Sequence, residues 1–183
     1  MKSPPLPVRL PILFLCLLLP ILTLRAAETR SLDEQLEPFR PFLGKTWRGE
    51  FKNSTPDKPT IDVARWERAL NGKAIRVLHS VNDGVYGGES IMRWDNEKKQ
   101  IVYNYFTTAG FTTSGTLTWA NGKMIAVEKV AGSSEGITEV RSTYELRADG
   151  VLHNKSEYLK GSEVSGGREV FYKEDAKAEV KFK

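Results

Sequence analysis

Trp66-Glu67-Arg68-Ala69-Leu70-Asn71-Gly72-Lys73-Ala74-Ile75-Arg76-Val77 is the stretch that decides the fold. Two runs of strand-compatible residues meet at Asn71-Gly72, and an Asn-Gly pair favours a hairpin turn whose two central residues need positive φ. A two-residue turn fixes cross-strand partners: Leu70 opposite Lys73, Arg68 opposite Ile75, Trp66 opposite Val77 and Ala64 opposite His79. The other face sets Glu67 against Arg76, a pair suited to water. Trp66, Val77 and His79 are therefore expected to point inward.

The same punctuation recurs outward from this hairpin. Asn121-Gly122 and Asp149-Gly150 mark further tight turns, and Asp83-Gly84 lies in a longer one. Between them the sequence predicts ten strands, at 46 to 52, 60 to 70, 73 to 81, 87 to 94, 100 to 107, 111 to 120, 123 to 130, 137 to 147, 151 to 160 and 167 to 173. No helical period separates them, so neighbours pair antiparallel, and the sheet escapes two costly edges by closing on itself. The fold class is all-β, an antiparallel up-and-down barrel of about ten strands; a two-sheet sandwich is the alternative.

Around Asn121-Gly122, Trp119 with Met124 and Leu117 with Ala126 give a dry face. Around Asp149-Gly150 a two-residue turn would set Leu146 against His153, Tyr144 against Lys155 and Ser142 against Glu157, with Arg141 against Tyr158 on the reverse. Neither face is dry, as in a barrel with a polar, partly hydrated interior; a register shifted by one residue accounts for the same pattern. Ahead of the strands, Ser31-Leu32-Asp33-Glu34 reads as a capping box. A short helix follows and stops at Pro38, and Phe39, Phe42 and Leu43 form a plug over one end.

The first 27 residues have another character. Lys2 and Arg9 precede an apolar run from Leu10 to Leu24, and Arg25-Ala26-Ala27 ends in small residues. That is the order of a secretory signal peptide, with cleavage expected after Ala26. The apolar run is shorter than the roughly 20 residues of a spanning helix. The expected division is thus 1-27 signal peptide and 28-183 barrel domain, with the product secreted or periplasmic. The leader takes three of the 27 Lys and Arg and none of the 23 Asp and Glu, leaving 24 basic residues against 23 acidic. A near-neutral domain gives no footing for a nucleic acid. The single cysteine, Cys16, lies in the leader, so the domain has no disulfide, thiol nucleophile or thiolate metal ligand.

Leu43-Gly44-Lys45-Thr46-Trp47-Arg48-Gly49-Glu50 opens the first strand, and it resembles the Gly-x-Trp opening of calycin-type (lipocalin-like) barrels: lipocalins, fatty-acid-binding proteins and nitrobindins. The spacing here is Gly-x-x-Trp, one residue longer. The later layout, through Tyr144 to Tyr172, is similar to uncharacterised exported bacterial families sharing that fold. The resemblance implies that Trp47 packs across the barrel floor, and that the interior holds a small, mostly apolar ligand. Nitrobindins hold haem through a histidine of a late strand, and the resemblance would carry that role to His153, the only late histidine. Phe51 stands where that family's opening motif has a glycine, which works against the transfer.

Gly132-Ser133-Ser134-Glu135-Gly136 matches the spacing of a hydrolase nucleophile elbow, but a strand rather than a helix follows it, so it reads as a hairpin loop. Two histidines in separate hairpins do not make a zinc site, and no metal or cofactor is expected. Tyr103, Tyr105, Phe106 and Phe111 flank a turn at Ala109-Gly110 and could line the barrel mouth. The ligand-binding candidates are therefore Trp47, Trp66, His79, Tyr105 and His153, for a small hydrophobic or amphipathic molecule. An isomerase or cyclase, with His79 or His153 as acid or base beside a carboxylate such as Glu157, is the second reading. A packed barrel acting through its outer surface is the third.

Overall fold

The computed structural model describes residues 31–183; the expected signal peptide lies outside the described residues. Ten strands follow one another, β1 (Lys45–Phe51), β2 (Ile61–Ala69), β3 (Ala74–Val81), β4 (Tyr86–Asp95), β5 (Gln100–Thr107), β6 (Thr112–Ala120), β7 (Lys123–Ala131), β8 (Glu139–Leu146), β9 (Leu152–Lys160) and β10 (Glu163–Glu174). Each pairs antiparallel with its neighbour in sequence, and β1 pairs with β10, so the sheet is a closed up-and-down barrel. Closure satisfies both edges, which is the reason a chain of hairpins adopts it.

The β2–β3 register sets Trp66 opposite Val77, Ala64 opposite His79 and Glu67 opposite Arg76. The turn is broader than Asn71-Gly72 alone, because Leu70, Asn71 and Gly72 all carry positive φ and the last strand pair is Ala69 with Ala74. The β6–β7 register likewise sets Trp119 opposite Met124 and Leu117 opposite Ala126.

The β8–β9 hairpin differs by one residue from the expected register. Tyr144 faces Asn154, Ser142 faces Ser156 and Arg141 faces Glu157. The loop holds three residues rather than two: Arg147 N–H donates to Val151 O at 2.9 Å, Gly150 N–H donates to Arg147 O at 3.0 Å, and Gly150 takes φ 80°. Asp149-Gly150 thus ends a turn with a left-handed residue instead of forming its centre. One residue of slip exchanges the faces of a strand. His153, Lys155 and Glu157 consequently turn outward, while Asn154 and Ser156 turn inward and are buried. The polar interior is real, and other side chains supply it.

The plug also differs in detail. A 3₁₀ helix, Glu34–Phe42, runs through Pro38 and Pro41 rather than stopping at Pro38. The fixed φ of proline falls in the 3₁₀ range, so the tighter helix tolerates both. Its N-cap is Asp33, whose Oδ1 accepts from Gln35 N–H at 3.2 Å, and not Ser31. Leu36, Phe39 and Phe42 are buried and seal one end of the barrel. Phe42 lies 5.3 Å from Trp66, 6.1 Å from Trp47 and 6.3 Å from Trp119 between ring centroids. Among the described residues no helix is long and apolar enough to cross a membrane.

Candidate functional site

Inward positions change character along several strands. Near the plug they are Trp66, Ile75, Ile101, Leu117, Met124 and Leu152, all buried. Four residues further from the plug, the inner faces of β2, β3, β5 and β7 carry Asp62, His79, Tyr105 and Glu128, and β10 adds Arg168. A cavity of about 100 Å³ spans the boundary. Trp66, Val77, Met92, Leu117, Met124 and Ala126 wall its apolar side, and the five polar groups with Tyr103 and Tyr172 wall the rest.

The polar side is one connected chain. Asp62, 1% exposed, accepts from Tyr172 OH at Oδ2 over 2.8 Å and meets His79 Nδ1 at Oδ1 over 3.0 Å. His79 Nε2 lies 2.7 Å from Tyr105 OH, which lies 2.7 Å from Tyr86 OH. Burial pushes the Asp62 carboxyl up, but His79, Arg168 and the Tyr172 hydroxyl outweigh it, so Asp62 stays below its ordinary value and ionised. With Asp62 accepting from Nδ1–H, Nε2 is the ring nitrogen left to accept from the Tyr105 hydroxyl. Burial pushes the Tyr105 and Tyr86 hydroxyls up, so both remain protonated donors at neutral pH.

Two glycines make room for this chain. A Cβ on Gly49 would collide with the Tyr172 ring, and one on Gly88 with the Tyr105 ring and the Phe106 carbonyl. Without them neither phenol could lie across the interior to reach Asp62 or His79.

Glu128 stands elsewhere on the same wall, opposite Gly115 on β6 and Val140 on β8. Thr113 Oγ1 donates to its Oε2, and Tyr103 also bonds its carboxyl. Burial raises the Glu128 carboxyl, and the Thr113, Arg168 and Tyr103 contributions do not cancel that rise. Tyr103 is raised in turn, by burial first and then by Glu128. Tyr144, inward on β8, is pushed up to about 12, again by burial first.

Arg168 enters from β10. The residue is half-buried as a whole, but its Nε is closed off from water and has no hydrogen-bond partner among the described residues. Tyr172, Tyr158, Asp62 and Tyr144 surround it and favour its charge against the cost of burial. A buried guanidinium N–H without an acceptor is costly, and its natural complement is an oxygen of a bound molecule.

Of the sequence candidates, Trp66, His79 and Tyr105 line the cavity. Trp47 does not; it is 2% exposed on the floor, its Nε1 donating to Phe42 O at 3.4 Å. His153 does not either. It lies on the outer wall, stacked on Phe171 at 4.8 Å, with Nε2 3.0 Å from Glu169 and Nδ1 3.0 Å from Arg147. A haem held by His153 would therefore sit outside the barrel, and the macrocycle exceeds the cavity, so these residues do not fit that group. Glu157 also faces outward, and the carboxylate beside His79 is Asp62. Among the described residues no group of three or more His, Cys, Asp or Glu is arranged to hold a metal ion.

Asp62, Glu128 and Arg168 were not singled out from sequence. Extending the Asn71 register one step inward past Ala64 reaches Asp62, and extending the Asn121 register past Ala126 reaches Glu128. Arg168 had no such signal, because an irregularity between Val164 and Gly166 breaks the alternation that would have placed it.

No family model matches the sequence, and comparison with curated proteins finds no relative. Among solved structures, the crystal structure of Rv2717c from M. tuberculosis is similar in fold, with a TM-score of 0.58 over 79% of this chain and 99% of that one. The identity is 14%, which establishes a shared architecture and nothing about what either barrel holds.

Proposed function

We propose that this protein is an exported, calycin-like binding barrel whose ligand is a small amphipathic molecule with a carboxylate or similar oxyanion at one end. The observation that carries the reading is Arg168, a charged side chain with an unpartnered, buried Nε at the polar end of a cavity whose other wall is apolar. A carboxylate there would accept from the guanidinium, and a short carbon chain would lie against Trp66, Met92 and Leu117. The cavity of about 100 Å³ restricts the body to a few carbons, since about 150 Å³ of apolar space accommodates a benzene ring. A long-chain fatty acid needs more space than that. The order of basic, apolar and small residues in the leader supports export.

Isothermal titration of the mature chain with acetate, butyrate and octanoate, beside 1-butanol, tests this. Butyrate should bind better than octanoate and better than 1-butanol, and Arg168→Met should lose the preference for the acid by roughly tenfold or more. Equal binding of acid and alcohol, or retention of the preference in Arg168→Met, overturns the reading.

A further inference from the structure

We propose that the cavity is also a proton-transfer site, in which Tyr105 and Glu128 act as base and acid on an enolisable 2-oxo acid seated on Arg168. The inference rests on the carboxylate-binding reading above and adds a reaction to it.

The geometry that carries it is the order of the groups. Asp62 holds His79 through Nδ1 at 3.0 Å, and His79 presents Nε2 to the Tyr105 hydroxyl at 2.7 Å. This is the arrangement of a carboxylate, an imidazole and a hydroxyl in which the imidazole takes the hydroxyl proton while the hydroxyl oxygen acts outward. A free tyrosine is a weak base, but Tyr105 need not ionise alone. As its proton passes to His79 Nε2, its oxygen can take a proton from carbon, and the imidazolium so formed is held against ionised Asp62. Tyr86 OH, 2.7 Å from Tyr105 OH, steadies the oxygen by donating to it.

Glu128 supplies the complementary group. It lines the same cavity and is held by Thr113 and Tyr103. Burial raises the Glu128 carboxyl, which favours the protonated form an acid needs, while Asp62 stays ionised to hold the imidazole. For a 2-oxo acid with a methyl or methylene at C3, the step balances without a redox partner. A C3–H bond breaks and its proton goes to the Tyr105 oxygen; the bonding pair forms the C2–C3 double bond. The carbonyl π pair takes the proton of Glu128, leaving an enol and a Glu128 carboxylate. The reverse step returns a proton to C3. Asp62 and His79 are positioning residues, since they act through Tyr105.

Pyruvate is the probe, with about six non-hydrogen atoms, the size that so small a cavity admits. In D2O its methyl protons should exchange in the presence of the full mature chain faster than in buffer, followed by proton NMR. Tyr105→Phe and Glu128→Gln should each slow the exchange by about 10²-fold or more, the usual contribution of a positioned acid or base. Asp62→Asn should lower the maximal rate while leaving the half-saturating pyruvate concentration near that of the wild type. Near-UV circular dichroism of each variant verifies that the barrel is intact, and Tyr105→Phe keeps the ring that fills its place. Oxamate, the same shape with no exchangeable carbon-bound hydrogen, separates the two readings. If oxamate binds and pyruvate exchanges no faster than in buffer, or exchanges equally fast with Tyr105→Phe, the proton-transfer inference fails and the binding reading survives. If oxamate does not bind, both fail.

Discussion

The two ends of the barrel interior are built from the same alternation and hold different chemistry. At the plug end, Phe39, Phe42, Trp47, Trp66 and Trp119 pack against one another with ring centroids 5.3 to 6.3 Å apart. At the far end, Asp62, His79, Tyr105, Glu128 and Arg168 occupy inward positions that a stable core would fill with aliphatic groups. Among the described residues each end leaves one buried donor without a partner, Trp119 Nε1 at the plug and Arg168 Nε at the far end. The indole N–H is neutral and sits in dry packing, whereas the guanidinium carries a charge beside the cavity and costs more to leave unmatched, so the far end is the binding end and the plug the stabilising one.

The sharpest way to break this contrast is to truncate the two floor tryptophans in turn. Trp47 touches no cavity, so Trp47→Ala should cost about 3 to 5 kcal/mol, the range for a packed aromatic. Trp66 is equally buried but gives one face to the cavity, so Trp66→Ala should cost less and weaken ligand binding, where Trp47→Ala leaves binding per folded molecule unchanged. Urea melts of both variants, read beside butyrate titrations, check this. Equal costs would mean the cavity is filled by side-chain relaxation and the two ends are one core.

A smaller effect separates the two buried carboxyls. Asp62 is more acidic folded than unfolded, so its stabilisation is present above the unfolded value of about 4 and is lost as pH falls through the folded value. Glu128 is less acidic folded than unfolded. Its favourable protonated state is fully present below the unfolded value, and stability is lost as pH rises through the folded value. Urea midpoints from pH 3 to 8 should therefore show Glu128→Gln gaining on the wild type as pH rises. Asp62→Asn should show its deficit shrink as pH falls. Parallel curves for wild type and Glu128→Gln would place Glu128 in water, outside the polar end.

Legibility in the sequence followed the same divide. Turn signals at Asn71-Gly72 and Asn121-Gly122 fixed register because each sat at the centre of its hairpin, and the alternation then placed Trp66, Val77, His79, Leu117 and Met124 inward. At Asp149-Gly150 the same dipeptide motif served a three-residue loop, and one residue of difference exchanged His153 for Asn154 on the inner face. Apolar alternation announces itself by composition, so the floor could be read. Inward Asp62, Glu128 and Arg168 break that alternation, and a charged residue in a strand reads by default as a solvent-facing one. Only an exact register shows otherwise.

The smallest expected effect tests the outer wall, where the alternation places charges in water. Arg76 on β3 lies between two acids: Glu67 on β2 at 3.7 Å and Glu89 on β4, which it meets through Nε at 2.8 Å and Nη2 at 3.2 Å. Arg65 also draws Glu67 away, at 2.6 Å. These side chains are between 30% and 55% exposed, so water screens them and the forked contact with Glu89 is the only one with geometry to resist screening. Double-mutant cycles in urea should give a coupling of about 0 to 1 kcal/mol for both pairs, with Arg76 and Glu89 the larger and both reduced by added salt. A coupling of several kcal/mol between Glu67 and Arg76 would mean that this face is covered by something in solution. The outer wall, rather than the cavity, would then be the surface on which the barrel acts.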